Sequence, residues 1–325
     1  MGLAAILWGG DAKAGGLDVV MALPSSTLTF SSAFIAEDAG LYKKHGLHVT
    51  TRYLVGLASN SAVADGHADF LIGTGATFLN AAAHGQRLLA IAKMSDRPLI
   101  EMVIRKDVAS RAGITEETPF AERIKAIKGG TVAVQGTGTI VHSIERLVVR
   151  KAGLDPDADV KVIAMEPQAM LPALMAKRID GFATSPPFTT EAVIKGDAIL
   201  LASGPRGDLA DYIPFDYVIL QTRPELCAAE PEKCLRMVAA YQEATDFIRK
   251  HPTEALEILR KRFTQIGPAI LEAAWPVVAE ANTSDIRVTR EGLDNAQRWS
   301  LDAGLLDPTA VITDFSGLYT ADYVR

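Results

Sequence analysis

Length, composition and charge set broad limits on this chain. It has 325 residues, of which 48% are hydrophobic and 22% are charged. These proportions are usual for a soluble globular protein, and the length allows one to three domains. The net charge of −6 gives no reason to expect nucleic acid or an anionic membrane surface as a partner. No apolar run in the sequence approaches the roughly 20 residues that cross a membrane.

The first residues resemble part of an export signal. A short apolar run, Leu3–Trp8, is followed by Ala12-Lys13-Ala14 before Gly15. This order matches the apolar core and the small-residue cleavage pattern of a secretory signal, although the basic leader is missing. We therefore interpret residues 1–14 as a truncated signal segment. We expect an exported protein whose mature chain begins near Gly15.

The chain then contains the same succession of elements twice. Residues 19–41 predict a strand, a Ser/Thr-rich loop and a helix ending in Ala-Gly-Leu, and residues 131–154 predict the same succession with the same ending. Each copy continues with a β-rich segment, an apolar-striped helix and an aspartate before a strand, Asp69 or Asp180. The next helix ends at a glycine at equal distance in both copies, since 85 − 69 = 16 and 196 − 180 = 16. This matching order indicates a duplicated unit.

The duplicated units predict where a ligand binds. Strands that alternate with helices form parallel sheets, and ligands of open α/β sheets bind beyond the carboxyl ends of the strands. Two such sheets facing each other would place four loops around one cleft. These loops are Pro24–Thr27, Gly73–Ala76, Gln135–Thr139 and Ser185–Pro187.

The loop Gln135–Thr139 has two interpretations. It follows the short β-branched strand Val132–Val134 and precedes an apolar helical stripe. Glycine-rich turns are common, so the loop taken alone favours a tight turn with Thr139 as the helix N-cap. Its place at the binding edge instead favours a cradle of backbone N–H groups and hydroxyls at a helix N-terminus. We expect the neighbouring His142 to be a partly exposed helix residue rather than a ligand contact.

The remaining segments predict how the two units are joined. Two extended, β-branched stretches, residues 98–106 and 215–221, bracket the second copy and are interpreted as crossings between two lobes. From Pro224 onward the sequence is mostly helical, and we expect these helices to pack on the first lobe. The predicted division assigns residues 15–100 and 215–325 to lobe I and residues 101–214 to lobe II.

The chain has two cysteines, Cys227 and Cys234. In an oxidising compartment they could close a small loop between two helices. Two unpaired thiols on neighbouring turns are an equally good interpretation, because the sequence does not supply their separation in space. Their spacing does not match a CxxC metal or redox pattern.

The arrangement resembles the periplasmic solute-binding proteins of ABC importers, and most of all the group that serves alkanesulfonates, taurine, nitrate and thiamine-pyrimidine precursors. The resemblance implies the type II periplasmic binding protein fold, which is α/β with two lobes, each a mixed sheet flanked by helices, and a ligand cleft between them. The stretches that carry it are AFIAEDAGLYKKHGLHV, ADFLIGTGATFLNAAAHG, VQGTGTIVHSIERLVVRKAGL, ALMAKRIDGFATSPP and REGLDNAQRWSLDAGLLD. Family members use the loops after the strands as ligand walls, so the resemblance implies ligand contacts here. The residues to which this role carries over are Ser25, Ser26, Thr27, Thr74, Gly75, Ala76, Gln135, Gly136, Thr137, Gly138, Thr139, Ser185, Pro186 and Pro187.

The resemblance also implies a function. We expect a periplasmic monomer without cofactor, metal or catalytic activity that captures a small polar solute and delivers it to a permease and its ATPase. The four loops contain no Lys, Arg, Asp or Glu, so a charged ligand would rely on helix N-termini and hydroxyls. We expect a small polar organic ligand that is neutral or singly anionic, namely a sulfonate, a carboxylate or a pyrimidine-like molecule. Arg97 and Arg206, near the predicted crossings, are left out of the expected site. The alternative is a pyrimidine-precursor synthase on the same fold that uses pyridoxal phosphate, although the cysteine-rich iron motif of that group is not present here.

Overall fold

A computed structural model describes residues 16–196 and 198–325, so the predicted signal segment lies outside the described residues. The described strands are β1 (Leu17–Leu23), β2 (Leu47–Tyr53), β3 (Phe70–Thr74), β4 (Leu89–Ser95), β5 (Glu101–Arg105), β6 (Thr131–Val134), β7 (Lys161–Ala164), β8 (Gly181–Thr184), β9 (Ala198–Ser203) and β10 (Val218–Thr222). The described helices are α1 (Ser31–Asp38), α2 (Leu41–Lys44), α3 (Leu57–Ala64), α4 (Gly75–Ala83), α5 (Lys106–Ala112), α6 (Phe120–Ile124), α7 (Ile140–Lys151), α8 (Pro167–Met175), α9 (Phe188–Ile194), α10 (Pro224–Ala229), α11 (Pro231–Lys250), α12 (Pro252–Arg262), α13 (Pro268–Ala281) and α14 (Arg290–Asp302). None of these helices is long and apolar enough to cross a membrane.

The strands form two five-stranded sheets with the same topology. The first sheet has the order β2-β1-β3-β10-β4 and the second has the order β7-β6-β8-β5-β9. In each sheet the first three strands pair in parallel, and the fourth strand, β10 or β5, is antiparallel to both of its neighbours. The predicted two-lobed α/β fold with a mixed sheet in each lobe is confirmed. The simpler expectation of purely parallel sheets from the duplicated units is wrong for the fourth strand.

The segments interpreted as crossings between the lobes are largely strands of the sheets. β5 and β10 are each hydrogen-bonded to a strand on both sides. The interpretation was wrong for these residues because an extended segment that passes the sheet satisfies its backbone N–H and C=O groups by inserting between two strands. The chain passes between the sheets in residues 96–100 and 204–217. The division of the lobes at residues 101 and 214 stays a prediction, since the sheets define strands rather than lobe limits.

The duplication extends to individual hydrogen bonds. In the first lobe, Asp69 Oδ2 accepts a hydrogen bond from the backbone N–H of Val20 at 2.9 Å. In the second lobe, Asp180 Oδ2 accepts one from the backbone N–H of Thr131, also at 2.9 Å. Each aspartate immediately precedes the third strand in the order of its sheet, β3 or β8, and ties it to the second strand, β1 or β6. The carboxylate therefore supplements the ladder of backbone hydrogen bonds at the same place in both copies.

The C-terminal helices contact both lobes. As expected, α11 packs against α1 and β4 of the first lobe, and α12 packs against α1. In addition, α13 contacts α9 and α14 contacts α7, both in the second lobe. Trp299 of α14 donates a hydrogen bond from Nε1 to Ser143 Oγ of α7 at 2.6 Å. The helices after the second crossing thus hold the lobes together as well as covering the first sheet.

A disulfide bond joins Cys227 of α10 to Cys234 of α11. Both residues are buried among the apolar side chains of the core. The structure therefore decides between the two interpretations that the sequence left open. The bond closes a short loop between the two helices.

Replacement of both cysteines by alanine should lower the free energy of unfolding by about 2 kcal/mol, because the cross-link restricts the unfolded chain. Alanine is preferred to serine, since serine would place a hydroxyl in an apolar environment. Urea denaturation of the oxidised wild type and the double variant measures the difference. The reduced wild type is the control and should lose a similar amount. Equal stability of all three forms would contradict the prediction.

Candidate ligand-binding site

A cavity lies between the two lobes, at the carboxyl ends of their parallel strands. It is small and partly open to solvent, with about 50 Å³ accessible to the centre of a water molecule. Both lobes and the second crossing contribute walls to this interlobe cavity. Its lining residues are Pro24, Ser25, Thr27, Thr29, Phe30, Val55, Gly56, Ser59, Thr74, Thr77, Gln135, Thr139, Ile140, Val141, Ser185 and Tyr217.

Some of the residues predicted from the sequence line this cavity and others lie outside it. All four predicted loops reach the wall, so the structure brings together segments from distant parts of the chain. Whether any of these residues contacts a ligand stays a prediction. The predicted residues on the wall are Ser25, Thr27, Thr74, Gln135, Thr139 and Ser185, and those outside it are Ser26, Gly75, Ala76, Gly136, Thr137, Gly138, Pro186 and Pro187.

Two of the predicted residues outside the wall support it from behind. The backbone N–H of Gly75 donates to the carbonyl of Tyr217 at 3.2 Å. A Cβ atom at Gly75 would lie 2.3 Å from the backbone oxygen of Asp216, so only glycine allows α4 to begin this close to the second crossing. The carbonyl of Pro186 accepts a hydrogen bond from the backbone N–H of Leu28 at 3.0 Å. This last bond joins the two lobes directly.

The loop Gln135–Thr139 is an ordered turn whose two ends line the cavity. Thr139 is the N-cap of α7, and its hydroxyl accepts a hydrogen bond from the backbone N–H of His142 at 3.3 Å. The same hydroxyl donates to the carbonyl of Gly136 at 2.7 Å. The N–H of Gly138, which has a positive φ of 75°, donates to Nδ1 of the His142 ring at 3.1 Å. The turn and the cavity wall are therefore the same structure.

His142 is buried, whereas the sequence predicted a partly exposed residue. Residues 140–149 of α7 are all buried, including those on the polar side of the helix. The apolar stripe did not predict this, because it does not reveal what packs against the polar side. Burial lowers the pKa of His142, and Arg146 lowers it further. The neutral imidazole that results is the form that can accept the hydrogen bond from Gly138.

Tyr217 is the main wall residue that the sequence analysis missed. It lies in the second crossing, which was interpreted only as a connection. Its buried phenol lies beside the hydroxyls of Ser185 and Thr29. Burial raises the pKa of Tyr217 to about 12, so the phenol is neutral near pH 7. The signal that could have found it is an aromatic residue within an otherwise aliphatic extended segment.

Most of the other missed residues lie in the first turn or two of a helix that begins at a predicted loop, or just after β2. Pro24 is the first residue of a predicted loop but was not among the expected contacts. Loop composition gave no indication that the neighbouring helical turns would face the cavity. The missed residues are Pro24, Thr29, Phe30, Val55, Gly56, Ser59, Thr77, Ile140 and Val141.

The wall of the cavity carries no formal charge. Among the described residues, none of its lining side chains is Lys, Arg, His, Asp or Glu. Arg97 forms ion pairs with Asp96 and Glu280, and Arg206 pairs with Glu116, so both arginines are engaged outside the wall. In the part of the chain that the structure describes, no group of three His, Cys, Asp or Glu residues could hold a metal ion.

The helix α7 directs its N-terminus to the cavity. The first N–H groups of a helix have no acceptor within the helix. In α7 the N–H of His142 is bonded to Thr139, and Ile140 and Val141, which precede it, both line the cavity. These two N–H groups and the helix dipole are available to an acceptor atom of a ligand.

Comparison with known proteins decides the family. The family model described as NMT1/THI5 like matches residues 28–255, more than half of the chain. The chain belongs to the NMT1/THI5-like family. A curated protein of Brucella abortus (strain 2308), named as a binding protein, is 29% identical over 272 residues, which cover 80% of this chain and 76% of that protein.

Solved structures share the fold of this NMT1/THI5-like protein. A protein of Bordetella bronchiseptica RB50 superposes with a TM-score of 0.81 at 20% identity, over 95% of this chain and 96% of that one. The alkanesulfonate-binding protein SsuA from Xanthomonas axonopodis pv. citri, bound to MOPS, superposes with a TM-score of 0.69 at 17% identity, over 89% of this chain and 94% of that one. The predicted resemblance to periplasmic solute-binding proteins and their type II fold is confirmed.

In this NMT1/THI5-like chain, Thr139→Ala should lower the free energy of unfolding by about 0.5–2 kcal/mol, because it removes the N-cap of α7. The matched control is Thr137→Ala, since Thr137 lies in the same loop but is exposed. That variant should unfold within about 0.5 kcal/mol of the wild type. Chemical denaturation of the three proteins measures the effect. A Thr139→Ala protein as stable as the control would mean that the cap contributes nothing.

Proposed function

We propose that this protein is the substrate-binding component of an ABC importer. It captures a small polar organic solute, of the sulfonate, carboxylate or pyrimidine-like type, in the interlobe cavity. It then delivers the solute to a permease and its ATPase on the periplasmic side of a membrane. The family membership, the relatives described as binding proteins and the fold of SsuA support this proposal.

The observation that carries the proposal is a cavity whose walls come from two lobes joined by two crossings. A site that is divided between two lobes can open by rotation about the crossings and close around a solute. The walls approach each other closely: Leu28 of the first lobe donates to Pro186 of the second. At the rim, Gln168 Nε2 donates to Ser26 Oγ at 3.2 Å. A ligand that contacts both walls would favour this closed arrangement.

Cross-linking at the rim tests the proposal. Ser26 and Gln168 are replaced by cysteine, and a short thiol-specific reagent bridges them only when the lobes are closed. The solute is first identified by native mass spectrometry of protein purified from its own host. Solute should speed the cross-linking of the double variant, and the single Ser26→Cys variant is the control. Cross-linking at the same rate with and without the solute would contradict the proposal.

The alternative function, a synthase that uses pyridoxal phosphate, receives less support. Such an enzyme needs an amine that forms a Schiff base with the cofactor. No lysine is among the described residues that line the cavity. Incubation with pyridoxal phosphate, followed by borohydride reduction and peptide mapping, should label surface lysines without preference. Labelling of one lysine in strong preference to all others would favour the enzyme.

A further inference from the structure

The hydroxyl groups on the cavity wall are largely committed to the protein as donors. Ser59, Thr77 and Thr139 each donate a hydrogen bond to the backbone carbonyl three residues earlier, at 2.7, 2.9 and 2.7 Å. A hydroxyl has one hydrogen and two acceptor lone pairs. After donating to the backbone, each of these groups can only accept a hydrogen bond from a ligand. A wall that looks rich in donors therefore presents several acceptors.

Thr74 extends this row of acceptors. Its hydroxyl lies 2.9 Å from the hydroxyl of Thr77. Since Thr77 already donates to a backbone carbonyl, Thr74 is the donor of this pair, and its own hydrogen is used. Ser25 and Thr27 share one hydrogen bond at 3.2 Å, so one of these two hydroxyls is also used as a donor. The acceptors come from both lobes, with Ser59, Thr74 and Thr77 on the first and Thr139 on the second.

Donors face the same cavity at other points, and the side-chain amide of Gln135 and the hydroxyls of Ser185 and Tyr217 are among them. The N–H groups of Ile140 and Val141 at the start of α7 have no acceptor within the helix. The hydroxyl of Thr29 is buried beside the phenol of Tyr217. It can donate either to this phenol or to an acceptor of a ligand. The wall thus offers a ligand both donors and acceptors.

The described side chains that line the cavity carry no formal charge. Because the cavity is lined by neutral side chains, an anion would lose water there without gaining an ion pair. The acceptor oxygens of Ser59 and Thr77 would also repel an anion placed beside them. Apolar side chains, among them Phe30, Val55 and Val141, line the rest of the wall and suit an uncharged body.

We propose that the ligand is an uncharged molecule that carries N–H donors as well as an acceptor, of the carboxamide type, and not a sulfonate or carboxylate anion. This inference rests on the proposed function and narrows its solute class. The acceptor oxygen of the ligand binds at the N-terminus of α7 or at Thr29. Its N–H groups donate to Ser59, Thr74 and Thr77.

Matched pairs of probes test the inference. Benzamide is compared with benzoate, and benzenesulfonamide with benzenesulfonate, by calorimetry at pH 7. Within each pair the shape is nearly constant while the charge and the N–H donors change. The neutral member should bind at least tenfold more tightly in both pairs. Equal or tighter binding of either anion overturns the inference, and so does a lack of binding by both neutral probes.

Substitutions at two wall hydroxyls test whether these hydroxyls cause the preference for neutral probes. Ser59→Ala and Thr77→Val each delete an acceptor and should weaken benzamide binding about three- to tenfold, with no loss for benzoate. The matched control is Ser110→Ala on α5, whose hydroxyl donates to the carbonyl of Lys106 at 2.8 Å on an exposed surface. It should leave both affinities unchanged. Unchanged benzamide affinity in both wall variants, with circular dichroism unaltered, overturns the inference.

The rim cross-link separates this inference from the proposed function. If the native solute is an anion and speeds cross-linking between residues 26 and 168, the solute class is wrong and the importer function stands. If neither the native solute nor any of the four probes speeds cross-linking between residues 26 and 168, the proposed function fails as well. A neutral amide that speeds cross-linking supports both.

Discussion

Replacement of Lys93 by methionine should lower the free energy of unfolding by about 3–5 kcal/mol, because it leaves a buried charge without its partner. Lys93 Nζ lies 2.9 Å from Oδ1 of Asp216, and Asp216 is fully buried. The backbone N–H of Thr289 donates to the other carboxylate oxygen at 2.7 Å. Burial raises the pKa of Asp216, while Lys93 and Thr289 oppose this rise. Without Lys93, the protein must hold either an unpaired carboxylate or a protonated one. Urea denaturation at pH 7 measures the loss.

The control for this prediction is an exposed ion pair. Lys44 Nζ lies 2.5 Å from Oε1 of Glu243, and the Lys44 side chain is 63% exposed. Lys44→Met should cost less than about 1 kcal/mol, since water screens such pairs. The double variant Lys93→Met/Asp216→Asn should recover part of the stability, because it removes the unpaired charge. If Lys93→Met is as stable as Lys44→Met, the buried ion pair does not stabilise the second crossing, and the prediction is wrong.

Loss of the Lys93–Asp216 ion pair should also affect the interlobe cavity. Asp216 immediately precedes Tyr217, whose ring forms part of the wall. Its carboxylate joins β4, the second crossing and the first turn of α14. A Cβ atom at Gly292 would lie 2.3 Å from Asp216 Oδ1, so this packing leaves no room for a larger residue there. We therefore expect Lys93→Met to weaken solute binding as well as stability.

Replacement of Glu145 by glutamine should raise the stability at pH 7 by up to about 3 kcal/mol. The Glu145 side chain is buried in α7, and neither carboxylate oxygen has a hydrogen-bond partner in the described protein. Burial raises the pKa of Glu145 from 4.5 to about 8, although Arg146 opposes the rise. The folded protein keeps the proton up to about pH 8, whereas the unfolded chain releases it above about pH 4.5. The wild type therefore loses stability as the pH rises through this window.

Denaturation curves between pH 4 and pH 8 measure this effect. At pH 4 the wild type and Glu145→Gln should be similar in stability, since Glu145 is protonated in both states. At pH 8 the variant should be clearly the more stable. Glu254→Gln is the control, because the Glu254 side chain is 63% exposed. This replacement should change the free energy of unfolding by less than about 1 kcal/mol at both pH 4 and pH 8. Parallel curves for the wild type and Glu145→Gln would show that the carboxylate is not buried in solution.

The sequence by itself determined the fold and the approximate position of the interlobe cavity. Hydrophobic periodicity is a local property, so it identified the strands and helices of each copy, and the repeat identified two equivalent lobes. The aspartates Asp69 and Asp180, placed alike in both copies, make the same hydrogen bond. Because ligands bind beyond the carboxyl ends of strands, the four loops could be assigned to one cleft before their contacts were known.

Only the tertiary structure decided which atoms meet. Lys93 and Asp216 are 123 residues apart, and nothing in either local pattern reveals that they pair. Tyr217 reaches the cavity because the second crossing passes behind α4, and His142 is buried because α7 is covered on its polar side as well. The hydroxyls of the loops suggested donors from composition alone, but in the folded chain Thr139 donates to the carbonyl of Gly136 and Thr74 to the hydroxyl of Thr77. Burial and hydrogen-bond direction depend on neighbours brought from elsewhere in the sequence, and these set the charge and polarity that the cavity offers a ligand.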